Sequence, residues 1–352
     1  MLMYWLFAAG VASVIAVSVL DARRARPVAS LRRKYDRGTS LSQKGDLQEA
    51  IAAFDEVIEH GRDTTGDAFA LLVANSMLQK ALALCDLGGV DEPVAICQEI
   101  DQRFGRARNL GLQLAVCRAL LLRAQTLKVA NRPDAGAVSP AELLDEIEDR
   151  FGSSRDGPIL AIVAQARVAK AGLLAERGRV EEALAILDQV MSSATRGLGA
   201  QADVIAASVL AQKGTLLESK GNLAEALVAY GSLRVRASRM GAPRIEAGAL
   251  VGEGRVLQAL GRHGEALTMC DEAIAFGSPS HPIPRVYLVE ATKHRADALW
   301  ALGRRPEAIS AVDDLIRSAR DWDDQALVAE MSTARQRIAS LAGSSADGQP
   351  TP

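Results

Sequence analysis

Aromatic residues are scarce in this chain, at 4% of 352 residues, so no core built on large ring anchors is available to it. The four cysteines stand at positions 85, 97, 117 and 270, with no Cys-x-x-Cys pair and no histidine at ligand spacing. That arrangement carries no metal-site or disulfide signature and reads as ordinary thiols inside helices. His60, His263, His281 and His294 are scattered, without a His-Glu-x-x-His motif, and no Ser or Cys nucleophile sits in a recognisable turn. Gly252-Glu253-Gly254 resembles a nucleotide loop only superficially: no strand precedes it and no Gly-Lys-Ser/Thr follows. Its small residues fit helix packing instead, and the three tryptophans read as packing or interfacial residues rather than platforms for bases. A net charge of −2 excludes a general basic field for nucleic acid. The expectation is therefore a protein with no catalytic residue, cofactor or metal site, and no nucleic-acid partner.

What the chain does have is aliphatic bulk, 49% hydrophobic residues with 24% charged. Such a chain packs through Ala, Leu, Val and Ile, and its long Ala/Leu/Glu/Arg-rich stretches with little alternation predict an all-α fold.

Residues 1–20, Met1 through Leu20, carry no charge. Twenty residues at about 1.5 Å rise reach roughly 30 Å, the thickness of a hydrocarbon core. Tyr4 and Trp5 stand near one end, where amphipathic rings favour the interface. Seven basic residues from Arg23 to Arg37 follow, giving residues 1–37 a charge of +5 against −7 for the remainder. A cleaved signal expects a basic region before the apolar run and a small-x-small site after it. Here nothing basic precedes the run, which ends Ser18-Val19-Leu20-Asp21. The expectation is a retained transmembrane anchor over 1–20 and a basic juxtamembrane linker over 21–29. By the positive-inside bias the rest of the chain then faces the cytoplasm, at an inner or plasma membrane.

Beyond the linker the sequence repeats itself. Gly45-Asp46-Leu47-Gln48-Glu49-Ala50-Ile51 returns as Gly178-Arg179-Val180-Glu181-Glu182-Ala183-Leu184, and again from Gly221, Gly261 and Gly303, with weaker copies at Gly88 and Asn131. The spacing is about forty-two residues, in the range that marks stacked-repeat architectures. Each unit reads as helix, tight turn, helix. The anchor glycine ends the first helix in a left-handed conformation, and acidic residues then favour the start of the second.

Seven residues before each anchor stands a small residue: Gly38, Ala81, Ala124, Ala171, Gly214, Gly254 and Ala296. Nine residues after it comes a bulky or apolar one: Phe54, Cys97, Leu187, Tyr230, Cys270 and Val312. Asn131 reaches its equivalent, Leu144, after thirteen, which places a four-residue insertion in 131–140. Small against large predicts close contact between the two helices of a unit.

These residues resemble the tetratricopeptide repeat, which carries a small residue in its first helix, Gly at the turn, and Glu-Ala-Leu/Ile opening the second. The resemblance covers about residues 30–320. The unit is longer than the family's usual thirty-four or so, and units two and three place Pro93 and Pro140 where the others have Ala. It implies an α-α superhelix (a TPR-like solenoid) of about seven helix pairs, near 30–60, 66–104, 107–151, 156–196, 200–239, 242–276 and 282–320. A capping helix over 321–341 and a disordered tail over 342–352 complete it.

The resemblance also implies that the first helices line a partner-binding groove. Arg32, Asn75, Arg118, Gln165, Ser208 and Glu290 would then form one row. Thr39, Gln125, Thr215, Arg255 and Asp297 form another, with Lys128, Glu218, Gln258 and Trp300 nearby. Such a polar set of both signs suits an extended peptide or a helix rather than a small apolar ligand. In some members a Lys/Asn clamp grips a terminal carboxylate, but Tyr35 and Thr39 stand at those places.

A second column, Arg37, Lys80, Arg123, Lys170, Lys213, Glu253 and Arg295, is basic at six of seven positions. It reads as an internal ion-pair set with Asp55, Asp145, Asp188, Asp271 and Asp313 on the second helix of each unit, rather than a ladder for an acidic partner. Gly231 leaves Lys213 without such a mate, and Glu253 would face Asp271 with like charge.

The sequence therefore predicts a membrane-anchored scaffold that binds partner proteins or peptides. Two alternatives stand beside it: a self-associating structural protein at the membrane, and a periplasmic or secreted envelope-assembly factor if residues 1–20 act as a signal.

Overall fold

The computed structural model describes residues 25–61, 66–130, 138–194, 201–276 and 284–344. The expected anchor over 1–20, residues 21–24 of the basic linker, the insertion over 131–137 and most of the tail lie outside the described residues. Every regular element among the described residues is an α-helix. The chain divides into two compact units, Met1–Ile205 and Ala206–Pro352.

The first unit holds four helix pairs: α1 (Ala25–Lys44) with α2 (Leu47–Gly61), α3 (Asp67–Asp86) with α4 (Asp91–Phe104), α5 (Leu110–Val129) with α6 (Pro140–Phe151), and α7 (Gly157–Glu176) with α8 (Val180–Ala194). The division between units falls inside α9 (Gln201–Ser219). The second unit continues with α10 (Leu223–Arg239), then pairs α11 (Pro243–Ala259) with α12 (His263–Ala275) and α13 (Arg285–Ala301) with α14 (Arg305–Asp321). The last helix, α15 (Gln325–Ser344), packs on α14 and buries Leu327 and Met331. The seven pairs and the final helix of the sequence reading are all present.

The turn inside each pair explains the repeated glycine. Gly45, Gly88, Gly178, Gly221, Gly261 and Gly303 have φ between +74° and +90°. The residue after each one donates its backbone N–H to a leucine carbonyl five residues earlier, as Arg179 does to Leu174 and Arg304 to Leu299, each at 2.9 Å. The glycine supplies the left-handed step and the 6→1 bond closes the helix end. The second helix opens with a clasp in three pairs: Arg179, Arg262 and Arg304 each donate twice to Glu182, Glu265 and Glu307, three residues on, at 2.6–2.7 Å. In the third pair Ser139 and Glu142 form a reciprocal capping box with Pro140 in the first turn, where a missing N–H costs nothing.

Size matching then sets the pairs face to face. A Cβ added at Gly38 would stand 2.7 Å from the Phe54 ring, and one at Gly214 would stand 2.7 Å from the Tyr230 ring. Where the large partner is Leu144, Leu187 or Val312, the small position is alanine, and all of these are buried.

Within the first unit the first helices also touch one another directly, α1 with α3, α3 with α5 and α5 with α7; α11 and α13 do so in the second. Each unit therefore presents a face made of first helices alone. Three first helices, α3, α5 and α7, are long and apolar enough to cross a membrane by length and composition, with mean hydropathy 1.5, 1.2 and 1.4. Their apolar residues are used in packing: α5 alone buries thirteen residues between its neighbours. They follow the all-round hydrophobic pattern of a core helix, whereas α2, α6 and α14 are amphipathic.

Candidate functional site

The most developed polar cluster lies on the first-helix face of the second unit. Arg255 on α11 donates from Nε to Glu218 Oε1 at 2.5 Å and from Nη2 to Glu218 Oε2 at 2.8 Å. The same Nη2 reaches the Tyr230 hydroxyl at 3.1 Å, and that hydroxyl donates to Glu218 Oε2 at 3.2 Å and stands 3.2 Å from Thr215 Oγ1. Glu290 on α13 is 3.9 Å from Arg255 Nη1. The fork-to-fork bond to Glu218, set against burial, holds the Arg255 guanidinium above its ordinary pKa. Burial raises the Tyr230 phenol. His294 on α13 sits in the same field and is lowered by burial, and next by Arg255.

Tyr230 makes this cluster possible. It belongs to a second helix, α10, yet its ring passes between two glycines of first helices: a Cβ on either Gly214 or Gly252 would stand 2.7 Å from it. Its hydroxyl thereby emerges among residues of α9 and α11. The sequence reading assigned Tyr230 to packing alone and did not anticipate this polar end; a tyrosine flanked in space by two glycines was the available signal. His294 was likewise missed.

Four expected groove residues, Thr215, Glu218, Arg255 and Glu290, are thus brought together. Gln258 is half-buried on α11, with Oε1 buried and no hydrogen-bond partner among the described residues. Asp297 is exposed, and Trp300 on α13 lies under the Arg305 guanidinium at 5.1 Å.

In the first unit Arg32 is exposed, and Asn75, Gln125 and Gln165 are half-buried on successive first helices. Lys128 pairs with Glu176 at 2.9 Å, and Thr39 Oγ1 donates to the Tyr35 carbonyl at 3.0 Å. Arg118 is half-buried on α5 and its Nε is buried without an acceptor. Burial lowers its pKa; the groups acting on it are the Tyr35 phenol and the Cys117 thiol.

Four of the seven column residues, Lys80, Lys170, Glu253 and Arg295, form ion pairs, in a different register from the one expected. Lys80 Nζ meets Asp55 Oδ1 at 2.9 Å and Glu92 at 3.1 Å; Lys170 meets Asp145; Arg295 Nε meets Asp271 Oδ1 at 2.6 Å; Arg335 of α15 meets Asp313. Each aspartate lies on the second helix of the preceding unit, not on the partner helix of the same one. Glu253 accordingly does not face Asp271. It accepts from Arg234 Nε at 2.8 Å, on α10 of the preceding unit, so the charges there are exchanged rather than opposed. The register differs because a first helix packs against the second helix behind it as well as the one ahead.

Among the described residues no group of three or more His, Cys, Asp or Glu is placed to hold a metal ion. Cys97 and Cys117 are buried, and burial pushes the Cys117 thiol up to about 12, which makes it an inert packing residue.

Comparisons with known proteins agree with this architecture. Sequence profiles described as Tetratricopeptide repeat match residues 31–59, 164–189, 247–272 and 291–313. These fall on the first, fourth, sixth and seventh pairs; the pairs carrying Pro93 and Pro140 are not among them. No curated protein matches the sequence. Among solved structures, the apo form of RapI aligns with 89% of this chain and 99% of its own at 10% identity, TM-score 0.54. Aspartyl phosphate phosphatase F from Bacillus subtilis aligns with 90% of this chain and 79% of its own at 12% identity, TM-score 0.55. A tetratricopeptide repeat protein from Parabacteroides merdae ATCC 43184 aligns with 88% and 99% at 12% identity, TM-score 0.51. At such identities the likeness concerns the fold alone, so the phosphatase activity in one name does not carry over. Repeated turns, size-matched helix pairs, matching profiles and all-helical neighbours together make this chain a protein of the tetratricopeptide-repeat type.

Proposed function

We propose that the chain is a membrane-anchored scaffold whose repeat domain faces the cytoplasm and binds partner proteins or peptides on the face formed by its first helices. The observation carrying this reading is the chemistry of that face. Its residues are polar, of both signs, and drawn from successive helices, which suits a long polypeptide segment more than a compact ligand. The second helices instead carry turn clasps and the aspartates of the cross-repeat ion pairs. The reading of residues 1–20 as an anchor rests on their length, lack of charge and basic flank. Held near a bilayer, such a surface raises the local concentration of whatever it binds.

Two measurements test it. Intact mass of the chain recovered from its native membrane should include residues 1–20; a new terminus near residue 21 removes the anchor. Affinity capture with the full chain should lose its bound proteins when Arg32→Glu and Gln165→Glu are introduced, and keep them when exposed Arg317 on α14 is changed to Glu. An unchanged set in the first pair of variants places binding elsewhere.

A further inference from the structure

Arg118 is the charged groove residue whose buried donor, Nε, meets no acceptor among the described residues. Arg255, on the first-helix face of the second unit at a different repeat position, is held bidentately by Glu218 and hydrogen-bonded to Tyr230. Arg118 makes no hydrogen bond or ion pair among the described residues, and its Nε is buried with no acceptor. The groups nearest it electrostatically, Tyr35 and Cys117, are neutral at ordinary pH because burial raises both. Asp36, beside Tyr35, is exposed on α1.

An uncompensated guanidinium in a desolvated position is costly, and the cost disappears when a carboxylate meets its planar fork. The surrounding registers point the same way. At the three positions thirteen, six and three residues before each anchor, the four pairs of the first unit carry Arg32, Arg118 and Lys128 and no carboxylate. The same positions in the second unit carry Arg255 with Glu218, Glu290 and Asp297. Lys128 is met by Glu176 at 2.9 Å, which leaves Arg118 and exposed Arg32 as the cations of that face with no carboxylate at these positions, whereas Arg255 has its own.

We propose that the first-helix face of the N-terminal unit receives an acidic segment of a partner protein, with a carboxylate of that segment seated on Arg118. This rests on the reading of the first-helix face as the binding surface and adds the chemistry of the occupant. The carboxylate has two sources, an Asp or Glu side chain or a chain terminus. Side chains are favoured here because Tyr35 and Thr39 offer no cation beside Arg118 for a terminal group.

The test uses the full chain in detergent micelles and fluorescence anisotropy with labelled octaglutamate and octalysine, both amidated, and octaglutamine with a free C terminus. Octaglutamate should bind, more weakly as salt rises, and Arg118→Ala or Arg118→Met should weaken it about tenfold or more. Arg255→Ala is not a suitable control, because it opens a built network; Arg317→Ala, at an exposed position of α14, should leave binding unchanged. Binding of octaglutamine that depends on Arg118 assigns the terminal carboxylate as the source and keeps the seat. A thermal melt supplies an independent readout: Arg118→Met should melt higher than the wild type, since it removes a charge the fold does not compensate. Preference for octalysine, octaglutamate binding indifferent to Arg118, or a lower melt for Arg118→Met in a chain that still binds, each overturns the inference. The broader reading survives those results if Arg32→Glu and Gln165→Glu still abolish capture of a partner; it fails separately if they do not.

Discussion

Lys80 Nζ on α3 lies 2.9 Å from Asp55 Oδ1 on α2, so this ion pair joins two repeats rather than the two helices of one. Burial works against the lysine charge, but Asp55 and Glu92 outweigh it and raise its pKa. Such pairs add a nearest-neighbour term to a stack whose stability is a sum over repeats and interfaces. Lys80 is 16% exposed and Asp55 42%, so solvent screens the pair only in part. A double-mutant cycle with Asp55→Asn and Lys80→Met, read by denaturant unfolding, should give a coupling of about 0.5–1 kcal/mol. A cycle between Glu253 and Asp271 should give none.

Glycine at the small position is most strongly required where the facing residue is aromatic, at 2.7 Å, against 3.0 Å for Gly254 facing Cys270. Gly38→Ala and Gly214→Ala should each destabilise by about 1–3 kcal/mol, because rings anchored at Phe54 and Tyr230 stand where the methyl would go. The usual gain of about 1 kcal/mol for Gly→Ala in a helix does not offset that. Gly264→Ala, with open space around it on α12, should instead stabilise by about 0.5–1 kcal/mol. Adding Phe54→Leu to Gly38→Ala should recover part of the loss.

Glu218 neutralises Arg255 from two oxygens, and Glu290 only approaches it at 3.9 Å. Glu218→Ala should therefore cost about 1–3 kcal/mol, discounted for the third of Arg255 that remains exposed, and Glu290→Ala less than about 0.5 kcal/mol. Equal effects in thermal or urea unfolding would mean that the bidentate geometry contributes nothing.

His294 faces Arg255, Glu218, Glu290 and Asp297, and its folded pKa lies below that of the unfolded chain because burial, and then Arg255, disfavour the cation. The unfolded state takes up the proton first as pH falls through about 6.5. Stability present above that pH should be lost as pH falls further toward the folded pKa. Between pH 7 and 5 the wild type should lose more unfolding free energy than His294→Gln.

Much of this was legible in the sequence because the repeat writes each rule six or seven times. The anchor glycine, the small position and the bulky position each depend on local backbone geometry or on one helix pair, so counting from Gly45 or Gly178 located them. The ion-pair register was not legible, since an aspartate beside Phe54 or Cys270 stands in the chain between the first helix of its own unit and that of the next, and the repeat pattern does not choose between them. Packing alone decided for the next repeat. The Tyr230 hydroxyl was hidden for a related reason: its position marks it as core, and only the close approach of Gly214 and Gly252 shows that the ring passes through to the first-helix face. The leucines that accept the turn bond, such as Leu174 and Leu299, also went unread, because leucine is common in every helix of this chain.

The central claim is that partners meet the first-helix face. Site-specific photocrosslinking in the full chain tests it most directly, with the reactive side chain placed at Arg32, Gln165 or Asp297 on that face, and at Val228 or Val235, which are 69% and 50% exposed on α10. Adducts of partner protein should form from the first three positions and not from the two valines. Adducts formed only from Val228 and Val235 would contradict it.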